Sequence, residues 1–455
     1  MSQYVAETAP APPVERYDQL VEYFETACKP QPDWRVGTEY EKVAVWATDG
    51  RAVPFTGGIE EVLRRLAERY AWQPLLEEGR IIALSGARAS ITLEPGGQLE
   101  LSGEQCESVH CARREFAEHV EQIVSVGREL DIAFLGLGMQ PVSRLGEIEW
   151  VPKRRYAIMA PYMEKVGSLG QRMMKQTATV QVNIDYASER DAIDKLRVGM
   201  GIGPLLTAMF ANSPISDGRR NGYLSFRAHI WTDTDAARCG ILPFVFEPSC
   251  AFTDYVDYAL DVPMYFIVRD GSWIDMTAFT FRRFWQAGYQ GARATMEDWN
   301  AHLTTLFPET RMKRYIEIRS IDSQAPDLML AAPALIKGIF YDADCLAAAW
   351  DEVKRWTWEE RLELYHAVHR QALRARIRGV EVRELAGQLI AIAEHGLDRQ
   401  RTGNGAESEA MYLEQLRDMV RRGRCPADVL IEKWDGIWDR DVAQLVAGSA
   451  YRKAA

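Results

Sequence analysis

No run of this sequence is long and apolar enough to span a bilayer. The most apolar stretch, Leu328 to Tyr341, is too short and carries Lys337. The N-terminus lacks a basic segment followed by an apolar core, so no secretory signal is expected. There is no CxxC: Cys28, Cys106, Cys111, Cys239, Cys250, Cys345 and Cys425 are scattered and odd in number. That pattern reads as free thiols in a reducing cytosol, with Cys239 and Cys250 as the pair a fold could bring together. No dense basic stripe is present and the net charge is -11, so neither nucleic acid nor an anionic membrane is an expected partner. Internal repeats, low-complexity tracts and a Walker phosphate loop are also missing. Gly199-Met-Gly-Ile-Gly203 lies in a helical run without GxGxxG spacing. The expectation is a soluble, cytoplasmic protein whose 455 residues, 47% of them hydrophobic and 26% charged, can bury a large core. An anionic substrate would need local arginines or a divalent cation to overcome the acidic field.

What is present divides into a lead-in and two regions. Residues 1–14, with Pro at 10, 12 and 13, read as a mobile lead-in. From 15 to 325, β-like and helical stretches alternate, as expected for an α+β catalytic body. Helices are expected over 16–27, 58–70, 104–130, 154–166, 188–210, 249–260 and 294–305. Strands are expected over 34–46, 90–101, 132–138, 177–186, 223–231, 264–270, 273–277 and 314–320. From 326 to 455 the periodicity is helical, and these helices are expected to pack on the body.

The strands share a chemistry. Residues of equal parity lie on one face of a strand. In Thr177–Asp185 one face carries Thr177, Thr179, Gln181, Asn183 and Asp185, against Ala178, Val180, Val182 and Ile184 on the other. Glu39 and Glu41 share a face with Gly37, and Glu94, Gln98 and Glu100 fall together, with Pro-Gly-Gly read as a bulge. Ser225, Arg227 and His229 align in 223–231, and Tyr315, Glu317 and Arg319 in 314–320. A merely solvated face is rich in Lys and Thr, whereas this one holds five Glu, two Arg, two Gln and an Asn, with no lysine. Carboxylates at i and i+2 repel unless a cation neutralises them. Mg²⁺ usually bridges protein carboxylates to substrate phosphates, so the face reads as a seat for Mg–nucleotide, with arginines for a phosphoryl group and a substrate carboxylate.

These segments resemble the plant and proteobacterial type of glutamate–cysteine ligase. The matching strings are Val36-Gly-Thr-Glu-Tyr-Glu41, the run from Glu94 to Ser102, Arg155 to Met163, Met173 to Asn183, Phe210 to Pro214, Arg227 to Asp235, Tyr255 to Tyr265 and Arg314 to Ser320. They run in order over roughly residues 20 to 440. The resemblance implies a glutamine-synthetase-like fold, with a curved antiparallel sheet forming a funnel and helices packed outside. It also implies that ATP phosphorylates the glutamate side chain and the cysteine amine displaces phosphate, the first step of glutathione biosynthesis. Glu39, Glu41, Glu94, Glu100 and Glu317 match the family's metal positions, and Gln181 stands where more distant relatives place a histidine ligand. Arg319 matches an arginine expected to stabilise the phosphoryl group, acting with Glu39 and Glu317. The resemblance makes Arg227, Asn183 and Thr179 candidates for holding glutamate, with Arg155, Tyr156 and Tyr162 bordering the pocket. A monomer or homodimer is expected. One departure is Met276, where plant members carry a regulatory cysteine; it argues against thiol control of that kind and favours a bacterial member.

Alternatives remain at this level: another glutamate–amine ligase of the same fold, a guanidino kinase with a related sheet, or a catalytically silent metabolite-binding protein. Acceptor choice depends on pocket shape rather than on motifs. His229 is as readily a structural histidine as a ligand, and the His366/His369 pair reads as a solvated face. The aromatics between 252 and 289 read as core and loop packing.

Overall fold

The structure is a computed structural model and describes residues 12–401 and 407–452. Most of the expected lead-in, residues 1–11, lies outside the described residues. Its last residue is tied down: Val14 is buried and its N–H donates to the carbonyl of Ala294 at 2.8 Å.

The strands that build the site are β1 (Val36–Trp46), β2 (Gln73–Glu77), β3 (Arg80–Ser85), β4 (Ser90–Leu93), β5 (Leu99–Ser102), β6 (Ile132–Leu135) and β7 (Thr179–Ile184). Further along come β8 (Phe266–Arg269), β9 (Ser272–Asp275), β10 (Thr310–Met312) and β11 (Ile316–Asp322). Nine of these form one antiparallel sheet in the order β10-β11-β7-β1-β5-β4-β3-β2, with β6 pairing the far half of β1. Strands β8 and β9 form a separate hairpin.

Register turns the polar parity into an ordered face. Glu41 lies opposite Glu100, Glu39 opposite Gln181, and Glu317 opposite Asn183. On the other face Val180, Val182, Ile184, Ile316, Ile318 and Ile321 are fully excluded from solvent. They pack against helices that include Glu189–Phe210 and Ala331–Phe340. Burying each such side chain contributes about 1.5–3 kcal/mol. Two unit charges about 4 Å apart repel by about 4 kcal/mol at an effective dielectric near 20. The apolar face can therefore hold a few repelling carboxylates on the polar one.

Two local expectations are corrected. The segment 90–101 is a hairpin, not one bulged strand: β4 and β5 pair with each other, Glu94 N–H donates to the Gln98 carbonyl and Gly97 N–H to that of Glu94, each at 2.9 Å. Gly97 sits at φ +84°, which few side chains tolerate. Gly96 lies so close to the helix Gly170–Gln176 that a Cβ would stand 2.2 Å from the Lys175 carbonyl oxygen. The segment 223–231 is a short helix over Phe226–Trp231, capped by the Ser225 hydroxyl, which accepts the Ala228 N–H at 3.1 Å. Its Tyr, Phe, Ile and Trp content favours a strand, but the cap, itself pinned by Asp322, overrides that propensity.

The β2–β3 hairpin and the helices Gly170–Gln176 and Phe281–Ala287 stand where the sequence pattern predicts no element, whereas Pro426–Asp435 and Val442–Ser449 fall in the region read as helical. The thiols are also corrected. Cys106 and Cys111 form a disulfide with Cα atoms 5.6 Å apart, while Cys28, Cys239, Cys250, Cys345 and Cys425 are free. A spacing with four residues between the cysteines is outside the motifs that signal pairing, yet the chain turns there from β5 into the helix Val109–Glu129. Among the described residues no helix is long and apolar enough to cross a membrane.

Candidate active site

The polar face floors a cavity of about 510 Å³, within the range of small-molecule sites. Glu39, Glu41, Glu94 and Glu100 reach it from β1, the β4–β5 turn and β5, and Thr179, Gln181 and Arg319 from β7 and β11. Arg155 and Tyr156 enter from the helix Arg154–Val166, and Arg227 from the short helix after its Ser225 cap. The opposing wall includes Phe266 and Trp273 of the β8–β9 hairpin, so part of the aromatic-rich segment faces the cavity instead of serving only as core.

The floor has two electrical poles. At the acidic pole one oxygen from each of Glu41, Glu94 and Glu100 lies within 4.8 Å of the others. Burial, then Glu94 and Glu100, push Glu41 well above the usual carboxylate range, against the pull of Arg227 and the Thr179 N–H. Burial, then Glu39 and Glu94, also raise Glu100. The hydroxyls of Thr92 and Ser102 both donate to Glu100, and the Thr179 N–H donates to Glu41 at 2.9 Å. Such a set is held rigidly and is short of positive charge, which fits a hard divalent cation.

At the basic pole Glu317 is fully buried beneath three cations. Arg311 donates to both its oxygens at 2.7 and 2.8 Å, Lys313 stands 2.9 Å away, and Arg319 also contacts it. Burial opposes its charge, yet Arg311, Lys313 and Arg319 hold it well below the usual range. Gln181 joins the poles: its oxygen accepts from Arg319 and its amide lies 3.5 Å from Glu41. In that orientation the Gln181 oxygen is already occupied.

Arg227 is fixed from behind. Its guanidinium donates to the Arg319 carbonyl at 2.9 Å and stands 3.8 Å from Asp322. Asp322 also accepts from the Asn212 N–H and from the Ser213 and Ser225 hydroxyls. It reaches this side because β11 is bulged between Ile318 and Ile321, so Arg319 and Ser320 stand opposite Gln181 alone. Asp322→Ala is expected to destabilise the chain by about 3–5 kcal/mol, because it strands a buried guanidinium; thermal or denaturant melts measure it.

Not every expected residue reaches the cavity. Asn183 instead donates to Glu39 at 3.0 Å and lines a smaller neighbouring cavity of about 270 Å³. The Thr179 hydroxyl is spent on the Ile321 carbonyl, leaving its backbone to act. Tyr162 lies outside, edge-on to Tyr265 with centroids 5.3 Å apart: its helical position turns it away from the face shown by Tyr156. Glu317 sits behind its cations instead of among the other glutamates. His229 stacks on Tyr223 at 4.3 Å. Sequence reasoning missed Arg311, Lys313 and Asp322. The first two lie just before β11, outside the parity analysis, and the bulge inverted the parity of the third.

Comparison with known proteins gives the family and the fold. The family described as glutamate–cysteine ligase family 2 matches residues 35–448. The chain is 42% identical to chloroplastic glutamate–cysteine ligase B of Oryza sativa subsp. japonica, over 95% of this chain and 89% of that one. It is 43% identical to the chloroplastic enzyme of Arabidopsis thaliana, over 94% and 82%. A crystal structure of glutamate–cysteine ligase from Francisella tularensis in complex with AMP superposes with a TM-score of 0.55 at 13% identity, over 93% of this chain and 90% of that one. The fold is glutamine-synthetase-like, a mixed architecture of helices and antiparallel sheet. The cytoplasmic expectation is overturned by the plant relatives, whose names are chloroplastic; it rested on thiol spacing and a missing secretory signal, neither of which reads a compartment. With its family profile matched over nearly the whole length and its acidic and basic poles in place, the chain belongs to glutamate–cysteine ligase family 2.

Proposed function

We propose that the protein joins the side-chain carboxylate of L-glutamate to the amine of L-cysteine, with ATP as phosphoryl donor and γ-glutamyl phosphate as intermediate, the first step of glutathione synthesis. The observation that carries this reading is the two-poled floor, which matches a metal-bound polyphosphate beside a carboxylate. A carboxylate is a poor electrophile; as an acyl phosphate it has a leaving group. The bond from the γ-phosphorus to ADP breaks as one to the glutamate oxygen forms. The cysteine nitrogen then bonds the acyl carbon as phosphate leaves and the amine sheds its protons.

The chain supplies position and charge. Arg227, backed by Asp322, holds a glutamate carboxylate, with Arg155 and Tyr156 beside it. Arg319 faces the transferring phosphoryl group, and Gln181 and Asn183 fix Arg319 and Glu39. Mg²⁺ held by Glu41, Glu94 and Glu100 would neutralise phosphate charge and draw the nucleotide to the acidic pole. The amine, not the thiol, attacks, so no protein cysteine enters the chemistry.

The test is ATP-dependent phosphate release with glutamate and Mg²⁺, comparing cysteine, 2-aminobutyrate and unrelated amines. Release confined to cysteine and its close analogues is expected. Release with unrelated amines alone would point to another glutamate–amine ligase, and no release from folded protein to a binding protein.

A pH dependence follows from the raised Glu41 and Glu100. Their folded carboxyls bind protons more tightly than unfolded ones, near pKa 4.3. Their contribution to metal-free stability is present below that value and is lost as pH rises through the raised ones. Mg²⁺ is therefore expected to raise the melting temperature more at pH 8 than at pH 5.5, as differential scanning fluorimetry would show.

A further inference from the structure

Three histidines take no part in the chemistry proposed for the cavity, and the fold brings them together. His366 and His369 lie three residues apart on the helix Trp358–Gln371, so they share a face. That helix packs on the short helix Phe226–Trp231, which carries His229. The ring centroid of His369 stands 6.0 Å from that of His366 and 6.3 Å from that of His229. The pair that reads from the sequence as a solvated face is therefore divided. His366 is exposed, whereas His369 is only 1% exposed and leaves its Nε2 buried with no hydrogen-bond partner. A buried polar atom without a partner costs about 1–3 kcal/mol, which a ligand on that nitrogen would offset.

The surroundings prepare the rings for such a ligand. Tyr223 stacks on His229 with centroids 4.3 Å apart, and Arg370 lies 3.8 Å over the Tyr223 ring, which fixes the His229 plane. Burial, then His366 and His229, bring the His369 imidazole down to about 3. Burial, then Arg370 and His366, also lower His229, against the pull of Asp233. Both rings are thus neutral near pH 7 and carry a lone pair, the state in which imidazole ligates a metal.

We propose that His229, His366 and His369 form a metal site separate from the acidic pole, for a divalent cation of the zinc type with water in the fourth position. Imidazole suits such ions, whereas Mg²⁺ takes oxygen ligands, so the two sites select different cations. Zinc–nitrogen bonds of ~2 Å put neighbouring ligand-ring centroids about 5 Å apart, so the observed spacings leave about 1 Å to close. Turning the exposed His366 and the half-buried His229 about their side-chain bonds supplies that movement. The ion would pin the helix that carries Arg227 to the helix Trp358–Gln371. It would stand beside the bonds that the Leu224 and Ser225 N–H groups already donate to the His369 carbonyl at 2.8 and 3.0 Å. None of the three histidines lines the active-site cavity, so the inference stands apart from the ligase reading.

The test uses the untagged full-length protein in excess Mg²⁺, with Zn²⁺ or Co²⁺ alone as probe. Titration against a chromophoric chelator should show a single tight Zn²⁺ site per chain, and Zn²⁺ should raise the melting temperature. Co²⁺ should give the visible absorption of a four-coordinate ion without the near-ultraviolet band of a thiolate ligand, which separates the histidines from the cysteines. His366→Gln, His229→Gln and His369→Gln should each weaken binding at least ~10-fold and abolish the thermal shift. Should the buried His369→Gln fail to fold, His366→Gln decides the matter, because its side chain is exposed and the metal-free melting temperature should not move. No Zn²⁺ binding by wild type, undiminished binding in His366→Gln and His229→Gln, or a cobalt spectrum dominated by thiolate would each overturn the proposal.

Discussion

Arg319→Ala is expected to lower kcat by at least ~10²-fold in a chain that still folds, and Glu39→Gln by a similar factor. Loss of one preorganised electrostatic partner in a water-poor site typically costs about 10²–10³ in turnover. Arg319 is placed for that role: only 9% exposed, it lines the cavity and touches both Gln181 and Glu317. Its position is set by the β11 bulge, and alanine removes its charge from the cavity floor. Glu39 is 6% exposed and accepts from Asn183. Steady-state kinetics with cysteine as acceptor, beside melting curves to confirm folding, check the pair. Near wild-type turnover in both would remove the assignment.

Glu100→Gln is expected to move activity and stability in opposite directions. Glu100 faces Glu41 across the β1–β5 pair and shares the acidic pole with Glu94, so each carboxylate is held against its neighbours' charge. Turning one into a neutral amide relieves that repulsion while keeping its shape. The melting temperature of the metal-free protein should rise by about 1–4 °C, the shift that roughly 1 kcal/mol produces in a domain of some size. Activity should fall at least ~10²-fold. The Mg²⁺ concentration for half-maximal activity should rise ~10-fold or more, because a cation site loses one of its charged oxygens. Sites strained for function are where a gain in stability and a loss of activity coincide. A variant that is both less active and less stable would contradict the repulsion argument.

The sequence made some of this site legible and hid the rest for reasons that lie in particular residues. Strands β1 and β7 alternate cleanly, because each buries one face and turns the other to the cavity; Glu39, Glu41 and Gln181 could be placed from parity alone. Glu94 and Glu100 fell on the right side even though the element between them is a turn, since the Pro-Gly-Gly hairpin returns the chain with its parity intact. Arg227 was assigned to a strand and reached the cavity from a helix. Its neighbours have strand propensity, and the deciding contacts, Ser225 to Ala228 and to Asp322, span up to 97 residues. Arg311 and Lys313 could not be read because their meaning comes from Glu317, across a strand pairing that the sequence does not print. Asp322 was invisible for a sharper reason: strict alternation from Glu317 puts it on the wrong face.

That same irregularity ties the two ends of the reaction to one piece of backbone. Arg319, proposed to face the phosphoryl group, stands at the bulge; Asp322, three positions on, steadies Arg227, proposed to hold glutamate. Strand β11 thus works as a caliper whose jaws are set by the extra residue. Deleting one position between 318 and 321 would not merely shorten a loop. With the extra residue gone the ladder would run regularly, and Asp322 would still stand opposite Thr179 and beside Arg227. What would change is the backbone that aims Arg319 at Gln181.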